Sequence, residues 1–202
     1  MKEDYPFSVL LDEILSKRKE KPIVSLVKSI KKYPTLKRLD TLYDINHLAE
    51  VLFVFDEQEL ALQVSSWVSG LPITDDVGVN DCIKSALAIQ GVIHMENEEY
   101  GKVEEIKDLI WSQIINVGDE SRIRKRRRIL DRILNGQAFN DNYKAKIESY
   151  RVENDKKGEA SFQLMFIKDL AYMMVMGGSE TYPVNKLQTL MKEMKAFISI
   201  HL

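Results

Sequence analysis

The sequence predicts an all-α fold of stacked antiparallel helical hairpins, and three observations carry that prediction. Apolar residues recur at spacings of three and four along most of the chain, the period of one helix face. Glycine (9) and proline (5) are scarce and fall between these periodic stretches. No segment alternates apolar and polar residues as a half-buried strand would. About ten helices fit this pattern, joined mostly by short turns, which favour antiparallel neighbours. Residues 1–202 read as a single all-helical domain with ample length for a core.

Taken in order, Pro6, Pro22, Pro34, Pro72 and Pro183 mark boundaries, since proline suits a first helical turn and breaks an interior. Phe7, Leu10, Leu11, Ile14 and Leu15 form the first apolar stripe; Ile23, Leu26, Val27 and Ile30 form the second. Leu39, Leu42, Ile45, Leu48, Ala49 and Leu52 make the third, and Leu60, Val64, Trp67 and Val68 the fourth. The polar triplet Asp56-Glu57-Gln58 separates those two. Beyond a connector from Leu71 to Val79, Ile83, Leu87, Gln90, Gly91 and His94 share one helix, and Val103, Ile106, Ile110 and Ile114 the next. Ile123, Leu130 and Leu134 run through a basic segment. A second connector, Val152 to Gly158, precedes Phe162, Met165, Phe166, Leu170 and Met173, a helix stopped by Gly177-Gly178. Leu187, Leu190, Met191, Met194 and Ile198 define the last one. Met165, Met173, Met191 and Met194 are expected in the core, with Met174 and Met176 as surface contacts beside Tyr172.

The stretch HLAEVLFVFDEQELALQVSSWV, His47 to Val68, carries small residues, Ala49 and Ala61, on either side of its polar break. Small side chains there let two helices approach closely. This resembles the tetratricopeptide pattern, in which a large and a small residue precede the turn and an alanine follows it. A looser copy, Leu87 to Ile110, puts Gly91 at the small position, Tyr100 at the turn and Val103 where Ala61 stood. The resemblance covers roughly residues 40–115, and the distance from Ala49 to Gly91 exceeds that family's period of about 34 residues. Ser65 and Val68 depart from the pattern, which wants an aromatic and a small residue. The resemblance implies a superhelix whose first helices line a concave partner-binding face. Tyr43, Asn46, Glu50 and Phe53, then Ala88, Val92 and Met95, would form it. Glu50 stands where a chaperone adaptor would need an asparagine, so it would repel a terminal carboxylate.

The sharpest charge feature is DESRIRKRRRILDRIL, Asp119 to Leu134. Arg124, Lys125, Arg128 and Arg132 are the residues of a basic face that would bind an acidic protein surface or phosphate. The same segment also reads as an amphipathic helix with a solvated cationic face, Asp119 capping its start. The acidic residues Glu98, Glu99, Glu104, Glu105 and Asp108 on the preceding helix would answer part of that charge. No aromatics interleave with the arginines, so a base-stacking platform is missing and nucleic acid is the less favoured partner.

Net charge is -2 with 45% hydrophobic and 30% charged residues, so no global field draws the chain to nucleic acid or membrane. The apolar runs are too short to span a bilayer. Cys82 is alone, excluding an internal disulfide and fitting a reducing, cytoplasmic setting; it reads as a small buried residue. His47, His94 and His201 fall in no metal-ligand spacing, although His94 could meet Glu98 one turn on. Asp75 and Asp76 fit a turn role. No phosphate loop or nucleophile elbow appears, so neither an enzyme nor a cofactor is expected. The expected function is a non-enzymatic interaction module with one protein partner, with self-association through an open end of the stack as a further outcome. In overall character the chain is similar to bacterial immunity proteins, which implies a toxin domain as that partner. The alternative is a nucleic-acid-associated regulator using the basic helix 122–132.

Overall fold

In a computed structural model of the chain, the described residues are 39–114, 148–178, 180 and 182–202. Among them the structure is all-α. Helix α1 spans Leu39–Val54, α2 Gln58–Ser69, α3 Val77–Glu96, α4 Tyr100–Ile114, α5 Lys156–Val175 and α6 Val184–His201. Residues 148–152 are also helical. The other helices in the expected count of about ten, with the stripes before residue 39 and the basic segment, lie outside the described residues.

One turn is used repeatedly. After α1, the Glu57 N–H donates to the Leu52 carbonyl at 2.9 Å and the Asp56 N–H to Phe53 at 3.1 Å. After α3, Glu99 donates to His94 at 2.8 Å and Glu98 to Met95 at 3.1 Å. Asp155 and Asn154 make the same pair to Tyr150 and Arg151, and Gly178 and Gly177 to Met173 and Met174. This crossed pair satisfies carbonyls left open at a helix end and needs one residue in the left-handed region. Asp56 (φ 61°), Glu98 (φ 60°), Asn154 (φ 54°) and Gly177 (φ 88°) supply it. The polar triplet after Phe55 is thus a cap, with Gln58 already helical. The expected connector from Val152 to Gly158 shrinks to residues 153–155. The reason is that Asp155 accepts from the Gly158 N–H at 2.9 Å and starts α5 early. The longer connector after Gly70 ends where Asp76 accepts from Gly78 at 2.8 Å, capping α3.

Helix α1 packs on α2, α2 on α3, α3 on α4, and α1 on α3. Two hairpins therefore lie side by side. Helix α5 packs along α3 and reaches α1, while α6 returns along α5 and also touches α1. The consequence is a central helix: every residue from Cys82 to Ile93 in α3 is buried, as a helix surrounded on all sides requires. Ile89 and Ile93 of α3 are fully buried, as are Leu48, Leu52 and Phe53 of α1 and Leu164, Ile167 and Leu170 of α5. Each such side chain contributes about 1.5–3 kcal/mol over an exposed one.

Gly91 shows how tight this is. A Cβ added there would meet the Val175 side chain of α5 well inside van der Waals contact. The small position expected inside the second hairpin thus serves the crossing with α5 instead. Among the methionines, Met173 and Met191 are in the core as expected. Met165 is half-exposed, because it sits beside and not on the stripe formed by Leu164, Ile167 and Ala171. Met174 is buried, because it follows Leu170 by one turn on that same stripe.

Two substitutions of opposite sign test this packing. Gly91→Ala should lose about 1–2 kcal/mol in urea unfolding, overpacking outweighing the helix-propensity gain. Glu98→Gly should gain about 0.5–1 kcal/mol by relieving a left-handed, non-glycine turn.

Candidate functional site

The first-helix face is closed by the chain itself. Asn46, Glu50, Phe53, Ala88, Val92 and Met95 are buried, and only Tyr43, 44% exposed, reaches solvent. These side chains therefore do not line an open concave surface, contrary to expectation. Phe53, Ala88 and Val92 form too apolar a strip to face water; Val175 of α5 closes on α3 at Gly91, and Lys195 of α6 lies over the Phe53 ring.

The buried carboxylate on that face is answered internally. Glu50, 2% exposed, accepts from Asn46 Nδ2 at 3.1 Å and Ser85 Oγ at 3.2 Å, and His47 Nδ1 lies 3.0 Å from its other oxygen. Asn46 Oδ1 is buried with no hydrogen-bond partner. The cluster ties α1 to α3 through paired polar groups, the condition under which a buried charge is tolerated. Ser65, the departure from the repeat pattern, is buried in α2 and donates to the Ala61 carbonyl at 2.7 Å.

The reactive groups are buried or paired. Cys82 is buried, and burial pushes its thiol up to about 12, so it stays protonated and inert. His94 pairs with Glu99, not Glu98, which takes the left-handed turn position. The hydrogen bond from Lys102, then that from His94, holds the Glu99 carboxyl below its usual range. His201 Nδ1 lies 2.8 Å from the Phe197 carbonyl, and its ring lies against the Phe197 ring. Among the described residues no group of three or more His, Cys, Asp or Glu side chains could hold a metal ion.

Among the described residues, a half-open cleft of about 510 Å³ lies at the end of the stack where the turns are. Val54, Met174 and Met191 give it an apolar floor, and Asp56, Glu96, Lys192 and Lys195 border it. Lys195 enters from α6 and is buried. Its Nζ lies 2.6 Å from Asp56 Oδ1, 3.8 Å from Glu96 Oε1 and 4.1 Å from the centre of the Phe53 ring. Gln58 Nε2 donates to Glu96 Oε2 at 2.9 Å, holding the two hairpin turns side by side. Burial raises the Glu96 carboxyl above its ordinary value of 4.5, outweighing the pull of Lys195, and Asp56 adds to the rise.

Among the described residues, the two hairpin turns at this end carry several carboxylates. Asp56, Glu57 and Glu98 are exposed, while Glu99 and the Glu96 side chain are partly so. Among the described residues, Lys102 pairs with Glu99, Lys195 meets Asp56 and Glu96, and Lys192 lines the cleft. Sequence reasoning read Asp56-Glu57-Gln58 as a turn and put Glu98 and Glu99 on a helix facing the basic segment, and it missed Glu96 and Lys195. The signal for Lys195 was there: a lysine at position 195 continues the apolar spacing Leu187, Met191, Ile198 of the last helix. The basic-face residues Arg124, Lys125, Arg128 and Arg132 lie outside the described residues.

The fold and this end define an all-α protein of adjacent helical hairpins with a charged, clefted turn end. The sequence matches over residues 2–199 the group described as "Family of unknown function (DUF6707)", and the chain belongs to that family. No curated protein and no solved structure matches it. Among the described residues no helix is long and apolar enough to cross a membrane.

Glu96 gives a signed pH test. A carboxyl raised in the folded state binds its proton more tightly there, so its contribution is fully present below 4.5 and is lost as pH rises through the raised folded value. Glu96→Gln removes that loss. Urea melts from pH 4 to 7 should show the variant gaining on the parent as pH rises; a constant difference would dismiss the burial effect.

Proposed function

We propose that the protein is a non-enzymatic protein-binding module, a tetratricopeptide-like stack of helical hairpins whose partner surface is its acidic turn end. The observation that carries this reading is a cleft with an apolar floor bordered by Asp56 and Glu96, with the exposed carboxylates Glu57 and Glu98 on the same two hairpin turns. An apolar floor inside a polar rim is the anatomy of a protein interface. The burial of Cys82 and the polar contacts of the three histidines support a binding role over a catalytic one.

The sign of the charge selects the partner. A protein with a basic face is attracted to this end, and long-range attraction speeds encounter. Domains that act on nucleic acid carry such faces, so a cytoplasmic immunity protein that neutralises a toxin of that kind is the specific form this reading takes. The same end repels phosphate, which supports protein over nucleic acid as the ligand.

The experiment is co-expression with the products of neighbouring genes, followed by biosensor kinetics on whichever complex forms. Reversing Glu57 and Glu98 to lysine should slow association about tenfold at low salt, with the difference fading as salt screens it. An association rate indifferent to the reversal would remove the acidic end from the interface.

A further inference from the structure

We propose that the cleft bordered by Asp56 and Glu96 is the anchor subsite of that surface and takes an arginine or lysine side chain of the partner protein. The inference rests on the reading of the turn end as the partner surface and adds the chemistry of its fixed point. Four observations carry it.

The cleft already holds one cation in the required manner. The Lys195 stem is buried, its ammonium lies over the Phe53 ring and its charge is met by Asp56 and Glu96. A basic side chain needs those same features, an apolar wall for its stem and carboxylates for its head. Asp56 has capacity beyond Lys195. Its side chain is 78% exposed, and the contact with Lys195 uses Oδ1, so Oδ2 is left to meet a guanidinium or ammonium from outside.

The floor suits such a stem. Met174 and Met191 are flexible and polarisable, and they adapt to an incoming chain. The space, about 510 Å³, exceeds that of a single side chain, so the entering group keeps part of its hydration. Charge complementarity sets the sign. Within the cleft the charges balance, Asp56 and Glu96 against Lys192 and Lys195. Among the described residues of the two hairpin turns, Asp56, Glu57, Glu96, Glu98 and Glu99 carry carboxylates, and the cations seen against them are Lys102 on Glu99 and Lys195 on Asp56 and Glu96. The rim draws the basic partner in, and the cleft fixes its register.

The test uses the full chain, isotope-labelled on backbone amides and methionine methyls, with N-acetyl-arginine amide as probe and N-acetyl-glutamine amide as neutral control. Saturable shifts confined to Asp56, Met174, Met191 and Lys195 are expected with the arginine probe alone. Asp56→Asn should weaken them about tenfold. Asparagine tolerates the left-handed turn, so unchanged signals from α3 will show that the fold is kept. Glu57→Gln removes the same charge from the rim and should leave the binding within about twofold. Equal loss in both variants, unsaturable shifts over all exposed carboxylates, or no shift at all would each overturn the subsite. A captured partner that binds Asp56→Asn as tightly as the parent would also overturn it, while leaving the acidic end as the partner surface.

Discussion

A helix with no side left for solvent has to be surrounded, and α3 is such a helix. From Cys82 to Ile93 every residue is buried. Two hairpins alone cover it with α1, α2 and α4, which leaves the side on which Gly91 and Val92 lie. Helix α5 closes that side, and Gly91 sets the distance, since no side chain fits between its Cα and Val175. The position of the C-terminal hairpin, the loss of an open groove and the juxtaposition of α6 with both hairpin turns all descend from this requirement.

That constraint separates this chain from an open repeat. In a solenoid each unit touches only its neighbours, and the first-helix face stays available for partners. Here the same face carries Phe53, Ala88 and Val92 in a strip apolar enough to demand cover, and the cover lies in the same chain. What remains open is the end of the stack. The hairpin turns cannot be buried without stranding their backbone polar groups, so charged residues accumulate there at little cost.

Much of this was legible in the residues. Helical spacing located six of the described helices, because apolar burial on one face is what makes a helix amphipathic. The turn at Asp56 and the stop at Gly177-Gly178 were readable as polar or glycine breaks. The second turn was less so, since glutamate at a left-handed position is an unfavourable choice and gives no local cue. The concave face was misread for a different reason. Periodicity reports that Phe53, Val92 and Met95 share a side, and says nothing about whether a neighbour covers it. Only the crossing of α5 over Gly91, a contact between residues 84 positions apart in sequence, decides that. Lys195 was hidden by its type, because a lysine among apolar positions is read as solvated until its partners are seen.

Asp56 joins the interior to the surface. Its backbone takes the left-handed cap that ends α1, a conformation most residues adopt at a cost of about 1–2 kcal/mol. Glycine would relieve that cost but would bring no carboxylate. Aspartate is a tolerable compromise there, since short polar side chains are less penalised at this position. With aspartate in place, one residue both closes the helix and meets the ammonium of Lys195, 139 positions later in the chain. That contact draws α6 over Phe53 and beside Glu96, and so shapes the wall of the cleft. The chemistry offered at the surface is thus set by how a helix in the core is brought to an end.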